Sequence, residues 1–473
     1  MDVAVVVIYL AAMIAFGFWG RRRAQTQSDF LVAGRRLGPV LYAGTMAAIV
    51  LGGASTIGGV GLGYEYGISG MWLVVAIGTG ILALSLLFAG RIQRLRVYTV
   101  SQMLELRYGP GSSVVSGLVM WAYTLMLSVT STIAYATIFA VLLDLPRVAS
   151  IIIGGAVVVA YSTLGGMWSI TLTDFVQFLI KTVGIFLILL PVVLVQAGGW
   201  SGLAAALPAD ALSLTAIGGG TIVTYFVIYT FGLLIGQDIW QRVFTARSPE
   251  VARWAGTAAG VYCLLYAVAG AVIGMSARVL LPGLEATDDA FAAVVEATMP
   301  ALLAGLVLAA ALSAVMSTSS GALIATATVF GKDIVGGLRG TDDDEEHVSG
   351  HRWMVAGFGL VMITIACLLQ DVVAALTVAY DILVGGLLVP ILGGLVWRRG
   401  TNRGALLAMG VGTVGTLATM IYMRDIFANE PVYVGLGAGL VAYVAGSLLS
   451  APTPPEILDE WDRRSSRPAT PVG

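Results

Sequence analysis

Apolar residues fall in long continuous runs along this chain, separated by short polar or basic segments. Continuous runs, rather than strict alternation, predict helices, and a run of about 20 apolar residues is long enough to cross a bilayer. The length rule predicts thirteen spans, at about 2–20, 40–66, 68–90, 113–141, 148–165, 172–198, 218–240, 254–280, 299–330, 353–370, 372–397, 404–423 and 431–450. The strands of a membrane β-barrel would alternate over about ten residues, and these runs do not. The expected class is an all-α polytopic membrane protein.

Composition points the same way. The chain is 58% hydrophobic and 11% charged, against about 25% charged for a soluble domain. A net charge of −2 gives no reason to expect a nucleic-acid partner. The first run is followed by Arg21, Arg22 and Arg23 rather than a small-residue cleavage site, so it reads as a span and not as a signal peptide. Alternate loops carry very unequal charge. Arg147, Arg278 and Arg424 fall on one side, Lys181 lies within a span, and the remaining 21 of the 25 basic residues fall on the other side. Basic loops stay in the cytoplasm. That predicts an N-terminus outside, a cytoplasmic C-terminus and a multi-pass protein of the plasma membrane. Residues 1–450 read as one transmembrane domain and 451–473 as a short polar cytoplasmic tail, too short to be a signalling module. Cys263 and Cys367 lie in apolar runs and read as buried small hydrophobes. His347 and His351 share one acidic loop, Thr341 to His351.

Glycines crowd the second span. Gly52, Gly53, Gly58, Gly59, Gly61 and Gly63 all lie between Ala48 and Tyr64, although each weakens a helix by about 1 kcal/mol relative to alanine. Interrupted backbone survives at membrane depth only where it is buried or lines a cavity. Close packing through small residues accounts for one such stretch as well as a binding site does. A second interruption tips the balance: Gly232, Gly236, Gln237 and Asp238 break the seventh span between Ile228 and Arg242. Five spans separate the two breaks. This predicts repeats over about 40–198 and 218–397, the second inverted in the membrane. Paired breaks of this kind mark a transport site, where freed carbonyls hold a cation and a half-helix N-terminus faces an anionic group. The ninth span adds hydroxyls, with Ser313, Ser317 and Ser320 on one face and Thr318 beside them. Neutral oxygens of this kind suit Na⁺, a hard monovalent cation.

Several motifs resemble the sodium:solute symporter family over roughly residues 20–450: SDFLVAGRRLGP from Ser28, SQMLELRYG from Ser101, LGGMWSITLTDFVQ from Leu164, and SAVMSTSSGALIATATVFGKDI from Ser313. The resemblance implies a LeuT-type fold, an inverted five-plus-five core with one leading and two trailing helices. It implies a sodium site of Ala48, Leu51 and Ala314 carbonyls with Ser317 and Thr318 hydroxyls. Asp174 matches an acid near the sodium exit path. Ser320 and Asp174 match two of the three groups of a second sodium site, a pair of hydroxyls and this acid, whose other hydroxyl position here is Gly321. Substrate-facing positions match Gly52, Gly53, Ala54, Ser55, Ser128, Phe231, Gly232 and Gln237. Val50 and Ala54 stand where sugar-binding members carry polar groups, and Val50 where proline-type members carry an aspartate. A small carboxylate or amino acid fits such a pocket better than galactose or proline.

Three charges within spans have an open role, Asp381, Lys181 and Asp238. Asp381 is ten residues beyond Asp371, about 15 Å deep at 1.5 Å per residue. A carboxylate at that depth marks function by default. Contact with a cationic substrate, a gate pair or proton carriage are all open, as is a bond to Tyr380. Lys181 is expected to snorkel to the cytoplasmic surface, with pairing to Asp174 as the alternative. Asp238 reads either as part of an inner gate with nearby arginines or as a solvated helix-end acid. The expected function is sodium-coupled symport of a small organic solute by alternating access; the alternative is a proton-coupled symporter using Asp381. No span carries the histidine, serine–histidine or metal-ligand constellation an enzyme needs, and no obligate protein partner is implied.

Overall fold

The computed structural model describes residues 2–135, 138–139, 145–339, 348–369, 372–424 and 428–466. His347, Asp371 and most of the acidic loop lie outside the described residues. Among the described residues the chain is helical apart from turns and one isolated bridge, Leu37 to Ala246.

Ten helical runs are long and apolar enough to cross a bilayer, and the pair Gly219–Ile235 and Gln237–Thr245, bent by 44°, makes an eleventh. Three of the ten are long for one crossing, and two of these, unlike the 39-residue Ala301–Arg339, carry a positive-φ glycine inside. Ala54–Arg94 has 41 residues and Arg147–Gln196 has 50, about 60 and 75 Å at 1.5 Å per residue against a core of about 30 Å. Each is interrupted at a glycine with positive φ, Gly67 at +64° and Gly166 at +53°. At Gly166 a Cβ atom would also meet the Phe30 carbonyl oxygen at 2.5 Å, so no other residue turns the chain there without strain. Counting each of the two interrupted runs as two crossings recovers the thirteen expected spans.

The helix Ala301–Val329 sits at the centre and is buried along nearly its whole length. It packs against Pro39–Val50, Ser112–Ile133, Arg147–Lys181 and Val348–Leu368. Its alanines, serines and Gly321 let neighbouring backbones approach closely, which is how membrane helices gain contact energy without a hydrophobic drive. The trailing helices Asn402–Met423 and Glu430–Leu448 pack on each other and on Val372–Val396. The tail is more than a polar extension. Pro455–Ser466 is a helix that buries Trp461, with the Arg91 guanidinium over the Trp461 ring and Arg94 donating to the Ser465 carbonyl at 3.0 Å.

Candidate functional site

The second span breaks where its glycines begin. Helix Pro39–Val50 ends at Leu51, which leaves helical geometry at φ −91° and ψ +66°, and helix resumes at Gly53 in a widened π-type turn, Ala54–Gly58. A helix C-terminus leaves its last four carbonyls without intrahelical donors. Here side chains supply them all. Ser317 donates to the Ala48 carbonyl at 2.8 Å and Thr318 to that of Ile49 at 2.7 Å. Ser55 reaches back across the break to Val50 at 3.2 Å. Lys181 donates to Ala48 at 2.9 Å and to Leu51 at 3.0 Å. Ser317 and Thr318 also donate to the Ala314 carbonyl, at 2.9 and 3.4 Å. Gly52 is required by this contact, because a Cβ atom there would collide with the Thr318 hydroxyl.

The oxygens expected around a cation, those of Ala48, Leu51, Ala314, Ser317 and Thr318, therefore do converge on the first break. Lys181 overturns its own expectation. Its side chain is fully buried and does not snorkel, and its ammonium bonds two carbonyls rather than Asp174. The reason is electrostatic: the carbonyl end of a helix carries partial negative charge and attracts a cation.

Asp174 has other partners. It accepts from Thr45 at 2.5 Å and from the Arg242 guanidinium at 3.2 Å, with both ionic side chains fully buried. Thr45 belongs to the helix before the first break and Arg242 to the helix after the second, so Asp174 ties the two broken spans together. Their backbones are tied too, Leu37 N–H to the Thr245 carbonyl and Arg247 N–H to the Leu37 carbonyl, both at 3.0 Å. Arg242 also lies against Gly321, where a Cβ atom would meet its guanidinium nitrogen at 2.6 Å. Ser320 donates to the Ser317 carbonyl at 3.1 Å. The positions matched to a second sodium thus hold a guanidinium.

The seventh span breaks at Gly236, which is extended at ψ +131° between Phe231–Ile235 and Gln237–Thr245. Gly232 lies against the Tyr380 ring and Phe231 is half-buried beside it. Asp238 is buried rather than solvated. Its carboxylate accepts from Tyr123 at 3.1 Å, while Arg242 reaches only its backbone carbonyl, at 3.4 Å. Two expected substrate contacts are spent elsewhere. Ser128 donates to the Ser319 carbonyl at 3.2 Å and to the Met362 sulfur at 2.7 Å, because its face of Ser112–Ile133 turns to the central helix. Gln237 accepts from Val100 N–H at 2.8 Å and donates to the Tyr98 carbonyl at 3.1 Å, bracing the loop before Val100–Tyr108. Gly53 and Ala54 stay at the break, with Thr56 bonded to Tyr266 at 2.7 Å one turn on. Asp381 is buried, and neither carboxylate oxygen has a hydrogen-bond partner among the described residues. Sequence reasoning missed Arg242 as a site residue, since it counted as one more loop arginine, and missed Thr45, whose helix gave no signal of its own.

Two interrupted helices packed against one central hydroxyl-bearing helix are the architecture of a membrane carrier. The profile of the sodium:solute symporter family matches residues 30–412. The chain belongs to that family, a family of sodium-coupled transporters and not of enzymes. It is 24% identical over 481 residues to the sodium/proline symporter of Staphylococcus aureus, covering 94% of this chain and 92% of the relative. Among solved structures it is similar to a substrate-bound, outward-open Na⁺-coupled sialic acid symporter, with TM-score 0.85, 19% identity, and coverage of 96% and 98%. It also resembles Mhp1, a nucleobase-cation-symport-1 transporter, at TM-score 0.57, 17% identity and coverage of 92% and 98%. MhsT in complex with L-phenylalanine matches at TM-score 0.57, 12% identity and coverage of 86% and 98%. The fold is of the LeuT type, with an inverted five-plus-five core, and sodium is the coupling ion around which the family is built.

Proposed function

We propose that this protein imports a small organic solute carrying a carboxylate, such as an amino acid or a short organic acid, by alternating access across the plasma membrane. The observation that carries the reading is the first break. Its carbonyl end gathers cationic and hydroxyl donors, and its other end, starting at Gly53, presents the N-terminus of a resumed helix, which favours an anion. The ligands of three similar proteins, proline, sialic acid and L-phenylalanine, all bear a carboxylate. The substrate contacts are then Gly52, Gly53, Ala54 and Ser55, with Phe231 and Gly232 opposite. The arginine-rich side is the cytoplasmic side, the N-terminus is outside, and the tail helix lies in the cytoplasm. The transport domain runs to about residue 450.

Uptake of labelled amino acids and short carboxylates into proteoliposomes, under an inward sodium gradient, tests the reading. Saturable accumulation of one such solute is expected; uptake confined to neutral sugars or nucleobases would sink it. Asp381 favours a second reading, proton-coupled symport, because both its buried oxygens lack partners among the described residues. In that case Asp381→Asn flattens the pH dependence of uptake; under the first reading the profile keeps its shape.

A further inference from the structure

The chain supplies a cation of its own at the place where its family binds sodium. Lys181 is fully buried, and two of its three N–H groups are spent on the Ala48 and Leu51 carbonyls, at 2.9 and 3.0 Å. Those are two of the five oxygens that the resemblance assigns to the ion. An alkali ion touching both carbonyls would also touch the ammonium. The hydroxyls are committed as well, Ser317 and Thr318 both pointing their protons at carbonyls of the same cluster.

Among the described residues, the one carboxylate that acts on Lys181 already has other partners. The carboxylate on Lys181's own helix, Asp174, is held by Arg242 and Thr45. From the helix Pro249–Leu280, the groups facing this region are the Cys263 thiol and the Tyr262 and Tyr266 hydroxyls, none a carboxylate. The second break contributes Asp238, which Tyr123 binds, and Arg242, which adds positive charge. The oxygen set fits sodium; the ammonium lodged in it does not.

We propose that the Lys181 ammonium and Na⁺ are mutually exclusive occupants of one site at the first break, so that sodium binds only after the Lys181 side chain has withdrawn. The tethered cation holds the broken helices in register in place of the ion. It lowers the protein's affinity for sodium and loosens the dependence of its stability on sodium. This rests on reading the first break as the ion site, but not on which solute is carried.

The test is equilibrium binding of radiolabelled Na⁺ to the purified full-length protein, read beside thermal unfolding in NaCl and in choline chloride of equal ionic strength. A ligand that binds only the folded state raises its melting temperature. The wild type is expected to show weak or unsaturated Na⁺ binding and the same melting temperature in both salts. Lys181→Met, which keeps the apolar stem and removes the charge, is expected to bind Na⁺ at least about tenfold more tightly and to melt higher in NaCl. Equal Na⁺ titrations for wild type and variant, or no Na⁺ binding by either, overturn the proposal. Should Lys181→Met not fold, Lys181→Gln is measured in the same way, and saturable Na⁺-dependent stabilisation of the wild type overturns the proposal without any variant. Neither readout involves solute, so uptake decides the transport reading separately.

Discussion

At the scale of single residues, the site is an account of where four carbonyls go. Breaking the second span between Val50 and Gly53 frees the acceptors of Ala48, Ile49, Val50 and Leu51, and four side chains, Ser317, Thr318, Ser55 and Lys181, satisfy them. A buried acceptor left without a donor costs about 1–3 kcal/mol. Thr318→Val keeps the shape of the side chain and removes the only hydroxyl that reaches Ile49 among the described residues. It is expected to lower stability by that amount, measured by denaturant or thermal unfolding in detergent. Ser128→Ala removes a hydroxyl bonded to a carbonyl already within a helix and is expected to cost less. The hydroxyls of the central helix were legible from their spacing. The partners of Ser128 and Gln237 were not, because a polar residue in an apolar span announces only that it needs a partner, not which one.

At the scale of elements, Asp174 is the joint between three helices. It bonds Thr45 before the first break and Arg242 after the second, from its own place on Arg147–Lys181. Removing one partner from a buried ion pair leaves an uncompensated charge and costs about 3–5 kcal/mol. Asp174→Asn is expected to destabilise by that order, and to do so locally. Hydrogen–deuterium exchange should rise in Pro39–Val50 and Gln237–Thr245 while the trailing helices Asn402–Met423 and Glu430–Leu448 stay protected. Uniform loss of protection across the whole chain would show that the pair holds the fold rather than the two broken spans. The spans and both breaks were readable because length and glycine content are local properties of the chain. The joint between them was not, since Asp174 and Arg242 are 68 residues apart and neither carries a periodic signal.

At the scale of the whole molecule, the two inverted repeats place both breaks against the central helix Ala301–Val329, so an ion and a solute bound as proposed would act on shared structure. Coupling between two bound species is a free energy and is reciprocal; whichever cation occupies the first break must alter solute affinity by the same factor by which solute alters the cation's. The tail helix closes the arginine-rich side through Trp461 and Arg91. Trp461→Ala is expected to free Pro455–Ser466, seen as faster proteolysis of the tail with little change in the melting temperature of the transport core. Core destabilisation equal to that of Asp174→Asn would instead make the tail part of the transport domain.

The sequence by itself determined the class of protein, the number of crossings, the two interrupted spans and the hydroxyl-bearing helix between them. Each of these follows from hydrophobic length, from backbone freedom at glycine, or from helical spacing, and all three are one-dimensional. Only the tertiary structure decided where the charges point. Lys181 shares a helix face with Asp174 and Gln177, at spacings of three and four, but a polar face within a span does not say which group its ammonium meets. The carbonyls of Ala48 and Leu51, 133 and 130 residues away along the chain, decide it, because a buried charge goes to the nearest end of a helix dipole of opposite sign.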